Sequence, residues 1–406
     1  MRSLRAGLAL GAGRAAGWLS RATGRGAGAQ ISGRVMLALH PGLLAELAAD
    51  QRVVLVSATN GKTTTTHFLA AALEAAGKRV VTNTTGANLA SGMAAALAES
   101  EGPGFAVLEV DERVLPKVVD ALHPELLVLG NLSRDQLDRF GEVGSVTASW
   151  REVAERTDPP AVVANASDPA VAWAAEPASP TWIALGTAWR QDASTCPRCG
   201  ALIAWSDSRF DCPACGFGQP ATVHRLDAGA LVFGGRRVPI ELALPGDWNA
   251  ANAALAIAAA ADLGVDPVDA SRALEAIGSV SGRYAQHPLP DGRPARVLLA
   301  KNPAGWSEVL RFLAGRDTGV VIALNAHIAD GRDPSWLWDV PFELLRGRSV
   351  AASGERALDV AVRLDYAGVP ISVVDDPLAA AKRVTGAEVH VVASYTQFTA
   401  LSRRLT

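Results

Sequence analysis

The sequence predicts an α/β protein built on parallel sheets, and three observations lead to that class. A short β-branched run at residues 53–56 is followed at once by a glycine-lysine-threonine turn and a helical pattern. In the last third, short apolar runs alternate with segments of helix length, which is typical of a parallel sheet covered by helices. These runs lie at residues 320–324, 350–353, 371–374 and 389–393. The length of 406 residues, with 49% of them hydrophobic, suits two or three domains.

Composition and charge exclude several classes of protein. The formal net charge of −3 argues against a polycation that coats nucleic acid. Proline and glycine contents of 23 and 38 residues disfavour a mostly disordered chain. No run approaches the roughly 18 apolar residues that a membrane-spanning helix needs. The four cysteines are too few and too close together for a disulfide scaffold, so we expect a cytoplasmic protein.

Residues 1–40 form a basic N-terminal extension with no acidic residue. We interpret it as a partly helical, solvated segment. Two alternatives are a basic surface that rests on anionic lipid at the inner face of the plasma membrane, and a targeting peptide. Glycines interrupt its apolar runs, which disfavours a secretory signal. Its six arginines are Arg2, Arg5, Arg14, Arg21, Arg25 and Arg34.

The turn after the first predicted strand is a candidate phosphate-binding loop. Because it lies between a strand and a helix, its backbone N–H groups would point at phosphate oxygens from the helix N-terminus. Lys62 would reach the β- and γ-phosphates of ATP, and the Thr63 hydroxyl would hold Mg²⁺. The longer phosphate-loop pattern fails, since Val56 stands where its first glycine belongs. The candidate nucleotide-binding residues here are Asn60, Gly61, Lys62, Thr63 and Thr64.

The segment SATNGKTTTT resembles the nucleotide loop of the Mur ligase superfamily, whose members join an amine to a carboxylate through an acyl phosphate. Ala58 stands where that family has glycine. The resemblance implies that Glu109, in the acidic strand end LEVDE, holds a second Mg²⁺, because this ion prefers oxygen ligands. Strand alternation places Asp111 on the same face as Glu109, so either acid could serve.

Further motifs of the same superfamily recur in the expected order. Residues 131–141 are similar to its N-x-x-x-D-H-L-D-R-H-G segment, with Gln136 in place of the metal-binding histidine. Residues 165–169 resemble its NADDP turn. The resemblance implies that Asn249 and Asn252, in a segment similar to GxHNxxN, face adenine. It also implies that Arg283 reaches the γ-phosphate, for which a planar guanidinium is well suited.

Four cysteines with the spacing C-x₂-C-x₁₂-C-x₂-C predict a structural zinc site. Four thiolates at this spacing suit tetrahedral Zn²⁺ and leave no coordination position open. We expect a zinc ribbon inserted at residues 193–220. A role of the ribbon in nucleic-acid binding is disfavoured, because only Arg198 and Arg209 supply positive charge there. The predicted zinc ligands are Cys196, Cys199, Cys212 and Cys215.

The segments KNPAG and ADGRD-x-SW, together with the four-cysteine insert, resemble the MurT family, the Mur-ligase-like subunits of lipid II isoglutaminyl synthase. That resemblance implies ATP-dependent amidation of the D-glutamate α-carboxylate of lipid II, with ammonia from a GatD-type class I glutaminase in a heterodimer. It implies that Asp333 completes the partner's catalytic triad. Asp330 is the rival acid, and a helix N-cap is the alternative role for Asp333. Lys301 is a weaker candidate for steadying the carboxylate, as is His327 for a catalytic base.

These predictions combine into three segments and one preferred function. We expect the basic extension at 1–40, a Mur ligase-type ATP-binding domain at 41–285, and a Rossmann-like C-terminal α/β domain at 286–406. All four cysteines are zinc candidates, so no thiol nucleophile is left to release ammonia within this chain. Two alternatives stay open: an amino-acid-adding ligase of the Mur or folylpolyglutamate type, and a non-enzymatic ATP-responsive scaffold.

Overall fold

The computed structural model describes residues 4–23, 28–83, 87–135, 143–186, 189–280, 284 and 286–405. The chain divides into two compact units. The first comprises Met1–Ser133, Val143–Leu242 and Asn249–Ala276, and the second comprises Arg134–Glu142, Ala243–Trp248 and Ile277–Thr406. The domain boundaries expected from the sequence stay a prediction. Within the described ranges, no helix combines the length and apolarity needed to cross a bilayer.

The first unit contains a nine-stranded sheet with the order β11-β10-β9-β6-β5-β4-β1-β3-β2. Strand β1 is an interior strand, third from the β2 edge, and pairs in parallel with β3 and β4, so that Leu55 lies opposite Leu108 and Leu127. Strands β9 to β11 form an antiparallel edge, and β7 and β8 form a separate hairpin. The strands are β1 (Gln51–Ser57), β2 (Val80–Thr82), β3 (Gly104–Glu109), β4 (Leu126–Leu129), β5 (Ala161–Asn165), β6 (Thr181–Ala184), β7 (Ala204–Ser206), β8 (Arg209–Asp211), β9 (His224–Asp227), β10 (Ala230–Phe233) and β11 (Arg236–Pro239).

Helices follow most of the parallel strands, as expected for connections between parallel neighbours. The helices described in this part of the chain are α1 (Leu4–Ala22), α2 (Ala29–Leu39), α3 (Leu43–Ala48), α4 (Lys62–Ala75), α5 (Ala90–Leu97), α6 (Leu115–Leu122), α7 (Val143–Ala154), α8 (Pro169–Ala175), α9 (Asp247–Asp262) and α10 (Pro267–Leu274). Strand β1 is buried from Val53 to its end at Ser57. Its carboxyl end therefore presents the following turn between the ends of its two parallel neighbours, β3 and β4.

The N-terminal segment differs from the solvated extension that the sequence suggested. Helices α1 and α2 bury one face each, and Ala6, Ala9, Leu10 and Met36 belong to the same apolar cluster as Leu55 of β1. The buried face of α1 consists mainly of alanine, glycine and serine. Such small residues give almost no periodic hydrophobic signal, which is why the sequence did not indicate burial.

The second unit is a six-stranded sheet with the order β12-β13-β17-β14-β15-β16, parallel except for β12. Its strands are β12 (Gln286–Pro288), β13 (Pro294–Leu299), β14 (Thr318–Ala323), β15 (Val350–Ser353), β16 (Ile371–Val373) and β17 (Glu388–Ala393), and its helices are α11 (Pro303–Ala314), α12 (Ala357–Tyr366), α13 (Pro377–Arg383) and α14 (Tyr395–Leu405). Side chains of β14 alternate between two apolar clusters, with Val320 and Ile322 in one and Val321 and Ala323 in the other. The predicted α/β class with parallel sheets is confirmed.

Candidate functional site

The turn between β1 and α4 has a backbone shape that requires glycine at position 61. Gly61 precedes the helix with φ of 90°, a left-handed conformation that other residues rarely adopt. A Cβ atom at this position would also lie 2.2 Å from Oδ1 of Asn252, on α9. Both the dihedral angle and the close approach therefore exclude a side chain. The first N–H groups of α4 have no acceptors within their own helix, which leaves this helix end suited to an anion.

The Lys62 ammonium is buried at this turn and is held by a carboxylate that the sequence analysis did not select. Its Nζ donates to the carbonyl oxygens of Ala58 and Thr59 and to Oε2 of Glu112, the last at 2.9 Å. Lys62 and Glu112 are each only 8% exposed. The Glu112 carbonyl in turn accepts from the Trp150 indole at 2.8 Å. Glu112 is the last residue of the acidic strand end LEVDE, from which the sequence pattern selected Glu109 and Asp111. Only the fold brings Glu112 to the lysine.

The loop after β4 holds the turn from the other side. The Asn60 N–H donates to Oδ1 of Asn131 at 3.0 Å, and the Asn131 amide donates back to the Asn60 carbonyl at 2.9 Å. The Ser133 N–H likewise donates to the Thr59 hydroxyl at 3.0 Å. The Mur-like segment that begins at Asn131 therefore fixes the backbone of the turn. Nothing in the local sequence of this segment indicates that role.

Asp168, from the NADDP-like turn, supports that loop. Its carboxylate caps α8 by accepting from the N–H of Ala170, and it also accepts from the N–H of Leu132 at 2.9 Å. Burial raises the pKa of Asp168 to about 6, although these N–H donors oppose the shift. The residue therefore acts as a structural bridge behind the turn.

Glu109 fits a hard cation better than Asp111 does. It is the last residue of β3 and is 1% exposed, and among the described residues its Oε2 has no hydrogen-bond partner. An unpartnered buried carboxylate oxygen is costly unless a ligand such as Mg²⁺ takes it. The half-buried Asp111 instead accepts from the Arg113 N–H at 3.1 Å, within its own loop. Thr63, the other predicted magnesium ligand, is buried in the first turn of α4.

The structure brings one predicted adenine contact directly to the turn. Asn249 and Asn252 are both buried near the start of α9, one turn apart, and Asn252 is the residue that packs against Gly61. Thr64 is also buried, in the first turn of α4. Arg283, proposed for the γ-phosphate, lies outside the described residues, as does Gln136.

The four cysteine sulfurs form a compact cluster whose dimensions fit zinc. All lie within 4.8 Å of one another, with 3.7 Å between Cys196 and Cys215 and 3.5 Å between Cys199 and Cys212. A zinc–sulfur distance of about 2.3 Å implies sulfur–sulfur edges of roughly 3.8 Å in a tetrahedron. The donor set therefore matches a closed tetrahedral zinc site.

The two cysteine knuckles have the same backbone design. The N–H of Cys196 donates to Ala201 and that of Cys212 to Phe217, both at 2.7 Å. Phe217 and Phe210 lie with ring centroids 5.5 Å apart in the ribbon's small core. This core also includes Ala172, Trp173 and Trp182 of the first unit, so the ribbon is packed onto that unit.

In the second unit, the two candidate acids of the ADGRD segment have different environments. Asp330 is buried and accepts from the Thr396 N–H and hydroxyl, at 2.8 and 2.6 Å, which ties this loop to α14. Asp333 is half-buried and accepts from the Ser335 N–H at 2.8 Å, ahead of the 3-10 turn Ser335–Asp339. The N-cap of that turn is Pro334, with no side-chain cap, so Asp333 forms a local turn with Ser335 without capping the helix and keeps its carboxylate partly open to solvent. Asp330 has a structural role.

Lys301 and His327 both lie in ion pairs. Lys301 Nζ contacts Oδ2 of Asp135 at 2.5 Å, and the neighbouring Asn302 caps α11. His327 lies 2.9 Å from Glu355, and both side chains are more than half exposed. Exposure screens such a pair, so nothing in this geometry favours His327 as a catalytic base.

Comparison with known proteins defines the class to which this geometry belongs. The family described as the Mur ligase middle domain matches residues 56–260, a range that includes the turn and both asparagines of α9. A pseudomurein peptide ligase type C from Methanothermus fervidus has a TM-score of 0.66 at 17% identity, covering 87% of this chain and 78% of that one. MurF ligase from Thermotoga maritima, solved in complex with ADP, has a TM-score of 0.60 at 16% identity, covering 92% and 85%. The fold is that of the Mur ligases.

Comparison of the C-terminal third identifies one family within the Mur ligase class. The family described as MurT ligase C-terminal matches residues 299–398. Subunit MurT of the glutamine-hydrolyzing lipid II isoglutaminyl synthase from Staphylococcus aureus (strain COL) is 30% identical over 382 residues, covering 87% of this chain and 86% of that protein. The chain belongs to the MurT family, and the resemblance found in its motifs is confirmed.

Proposed function

We propose that the chain is the ligase subunit of a lipid II isoglutaminyl synthase, which uses ATP to convert the D-glutamate α-carboxylate of lipid II into D-isoglutamine. The observation that carries the proposal is the turn after β1, where Gly61 packs against Asn252 and Glu112 holds the buried Lys62. The relative from Staphylococcus aureus, which bears that enzyme's name, supports the choice of substrate. We place the protein in the cytoplasm, where ATP and reduced thiols are available.

In the first step, a carboxylate oxygen of the substrate attacks the γ-phosphorus of ATP, an acyl phosphate forms and ADP leaves. The N–H groups at the start of α4 would bind phosphate oxygens, and Lys62 and Arg283 would neutralise charge on the transferring group. Thr63 and Glu109 would hold Mg²⁺, which supplies further charge neutralisation when bound. Glu112 acts through Lys62 and is therefore a positioning residue.

In the second step, ammonia attacks the acyl carbon, the carbon–oxygen bond to phosphate breaks, and phosphate leaves with the electron pair. The nitrogen loses a proton and the amide remains. We assign zinc to Cys196, Cys199, Cys212 and Cys215, and the sequence contains no other cysteine. Ammonia must then come from elsewhere, and we propose a GatD-type class I glutaminase as the partner in a heterodimer.

We propose that Asp333 completes the catalytic triad of the partner. Its carboxylate is half-buried, whereas Asp330 is buried and used within the fold. Close by in sequence, the exposed Trp338 packs edge-on against the exposed Tyr366, with 5.3 Å between ring centroids. Exposed aromatic side chains are enriched in protein–protein interfaces.

The glutaminase reaction of the complex tests this assignment. We expect Asp333→Asn to lower glutamine hydrolysis by about a hundredfold or more, because a histidine without its carboxylate loses its orientation and charge stabilisation. ATP binding should be unchanged. Asp330→Asn should instead lower the melting temperature, and the exposed Asp317→Asn serves as a control with no effect. Full glutamine hydrolysis by the Asp333→Asn complex would overturn the role.

The amino-acid-adding ligase is the weaker alternative, because MurT relatives match along most of the chain. Such an enzyme would use an amino acid as the amine and would need neither glutamine nor ammonia. Incubation of the purified chain with ATP, substrate and candidate amino acids separates the two functions. Turnover without glutaminase or ammonia would favour the alternative.

A further inference from the structure

Helix α1 presents large apolar side chains to solvent. Leu4 and Trp18 are 86% and 65% exposed, and Leu8 and Leu19 are also exposed. Positions 4, 8, 11, 15 and 18 recur three or four residues apart, so they lie along one face of the helix. This exposed apolar stripe is defined by Leu4, Leu8, Gly11, Ala15, Trp18 and Leu19.

The opposite face of α1 carries the small residues that pack against α2. A Cβ atom on Gly13 would lie 2.4 Å from Cγ of Met36, and one on Gly17 would lie 3.1 Å from Cβ of Ser32. Larger side chains would not fit there without displacement. Apart from the buried Leu10, the helix therefore packs through small residues and exposes most of its large apolar ones, which is the reverse of an ordinary surface helix.

The charged side chains that α1 itself places beside the stripe are all positive, and one of them, Arg14, also donates to the Ala98 carbonyl at 3.2 Å. At 3.6 residues per turn, Arg5 lies on one side of the stripe and Arg14 and Arg21 on the other. No acidic residue occurs before Glu46. Two copies of this face would bring arginines together and repel, whereas an anionic lipid surface would attract them.

We propose that α1 is an interfacial helix that binds the chain to an anionic lipid bilayer, with the stripe in the headgroup region and the arginines on lipid phosphates. Leucine and tryptophan side chains flanked by arginines are the composition that such helices use. The inference rests on α1 alone and not on the proposed function, although a lipid-linked substrate would be met at such a surface.

Vesicle flotation of the full-length chain tests the proposal, and it needs neither ATP nor a partner. The chain should float with vesicles of equal parts phosphatidylglycerol and phosphatidylcholine, and far less with phosphatidylcholine alone or at high salt. Leu8→Glu with Trp18→Glu should lower the partition coefficient by at least about tenfold, because each change removes buried apolar area. Leu202→Glu with Val223→Glu, an equal charge change at exposed apolar positions of the same unit, should float like the wild type.

A second measurement keeps the test valid if the double variant folds poorly. Brominated lipids should quench tryptophan fluorescence in the wild type more than in Trp18→Phe, because Trp18 would lie among the lipids. Equal quenching in both, or equal flotation of wild type and Leu8→Glu with Trp18→Glu, would overturn the proposal. A different outcome is a wild type that fails to float and forms a dimer, which becomes monomeric in Leu8→Glu with Trp18→Glu. That result would overturn the proposal and show that a second copy covers the stripe. ATP binding, unchanged throughout, keeps these outcomes separate from the proposed function.

Discussion

At the residue scale, the geometry of the turn between β1 and α4 depends on the buried pair of Lys62 and Glu112. Two buried charges stabilise a fold only when each has its partner, and removal of one leaves the other desolvated and unpaired. Here the ammonium also has the carbonyls of Ala58 and Thr59 as acceptors, so its position is fixed before any nucleotide arrives. Such preorganisation is what electrostatic catalysis of phosphoryl transfer requires.

Substitution of Lys62 should separate its proposed role in ATP binding from its role in the stability of the fold. Lys62→Met should abolish ATP binding and lower the free energy of unfolding by about 3 kcal/mol, because Glu112 is left without its cation. Adding Glu112→Gln should restore most of the stability but no ATP binding. Urea unfolding and titration with labelled ATP measure both effects, with the exposed Lys117→Met as control. Normal ATP binding by Lys62→Met would contradict the assignment.

His390 gives the second unit a pH-dependent stability. Its ring is buried, with Nδ1 2.8 Å from the Thr318 hydroxyl. Burial lowers its pKa to about 3, and the guanidiniums of Arg316 and Arg296 add to the shift, although Glu388 lies 3.9 Å away. At pH values just below the ordinary histidine pKa, the unfolded chain therefore binds a proton at His390, whereas the folded chain does not. Stability is fully present above that pKa and is lost as the pH falls towards 3.

Replacement of His390 should flatten this dependence. Between about pH 7.5 and pH 5, the histidine should remove about 2 kcal/mol from the free energy of unfolding. In His390→Gln that component should vanish, since glutamine does not titrate. Urea unfolding at both pH values gives the comparison. An unchanged difference between the two pH values in the variant would show that other groups are responsible.

At the scale of elements, local patterns in the sequence predicted the strand–turn–helix of β1 and α4 and four of the six strands of the second unit, β14 to β17. These features depend on short-range periodicity and turn chemistry. Helix α11 begins at Pro303, because the preceding Asn302 caps it. The pairing of Lys62 with Glu112 spans 50 residues, and that of Asp330 with Thr396 spans 66. Such partners are set by tertiary packing, which no local pattern encodes.

The zinc ribbon is an element whose stability we expect to depend on its metal. Cys199→Ser should abolish bound zinc and expose residues 193–220 to protease, because the ribbon's own core is small. ATP binding should be retained, since the cysteines are not among the residues of the turn. Metal analysis and limited proteolysis give the readouts, with Ser208→Ala in the same ribbon as control. Full zinc content in Cys199→Ser would contradict four-cysteine ligation.

At the scale of the whole molecule, the two units carry different parts of the proposed reaction. The first unit holds the turn, Lys62 and Glu109, which we propose to bind ATP and Mg²⁺, and the second holds Asp333, which we propose to complete the partner's triad. Variants of Lys62 should therefore stop amidation while the partner still hydrolyses glutamine. Variants of Asp333 should stop glutamine hydrolysis, and free ammonia should restore amidation. The chain would thus couple two reactions that can be interrupted separately.

The most direct test of the central claim is an amidation assay with the purified chain, its co-purified glutaminase, ATP, glutamine and lipid II. We predict one amide formed on the D-glutamate α-carboxylate for each ATP converted to ADP and phosphate, with ammonium salts able to replace glutamine. Mass spectrometry of the product and measurement of ADP supply both numbers. An amide formed without ATP, or an unmodified lipid II with the complete complex, would contradict the account.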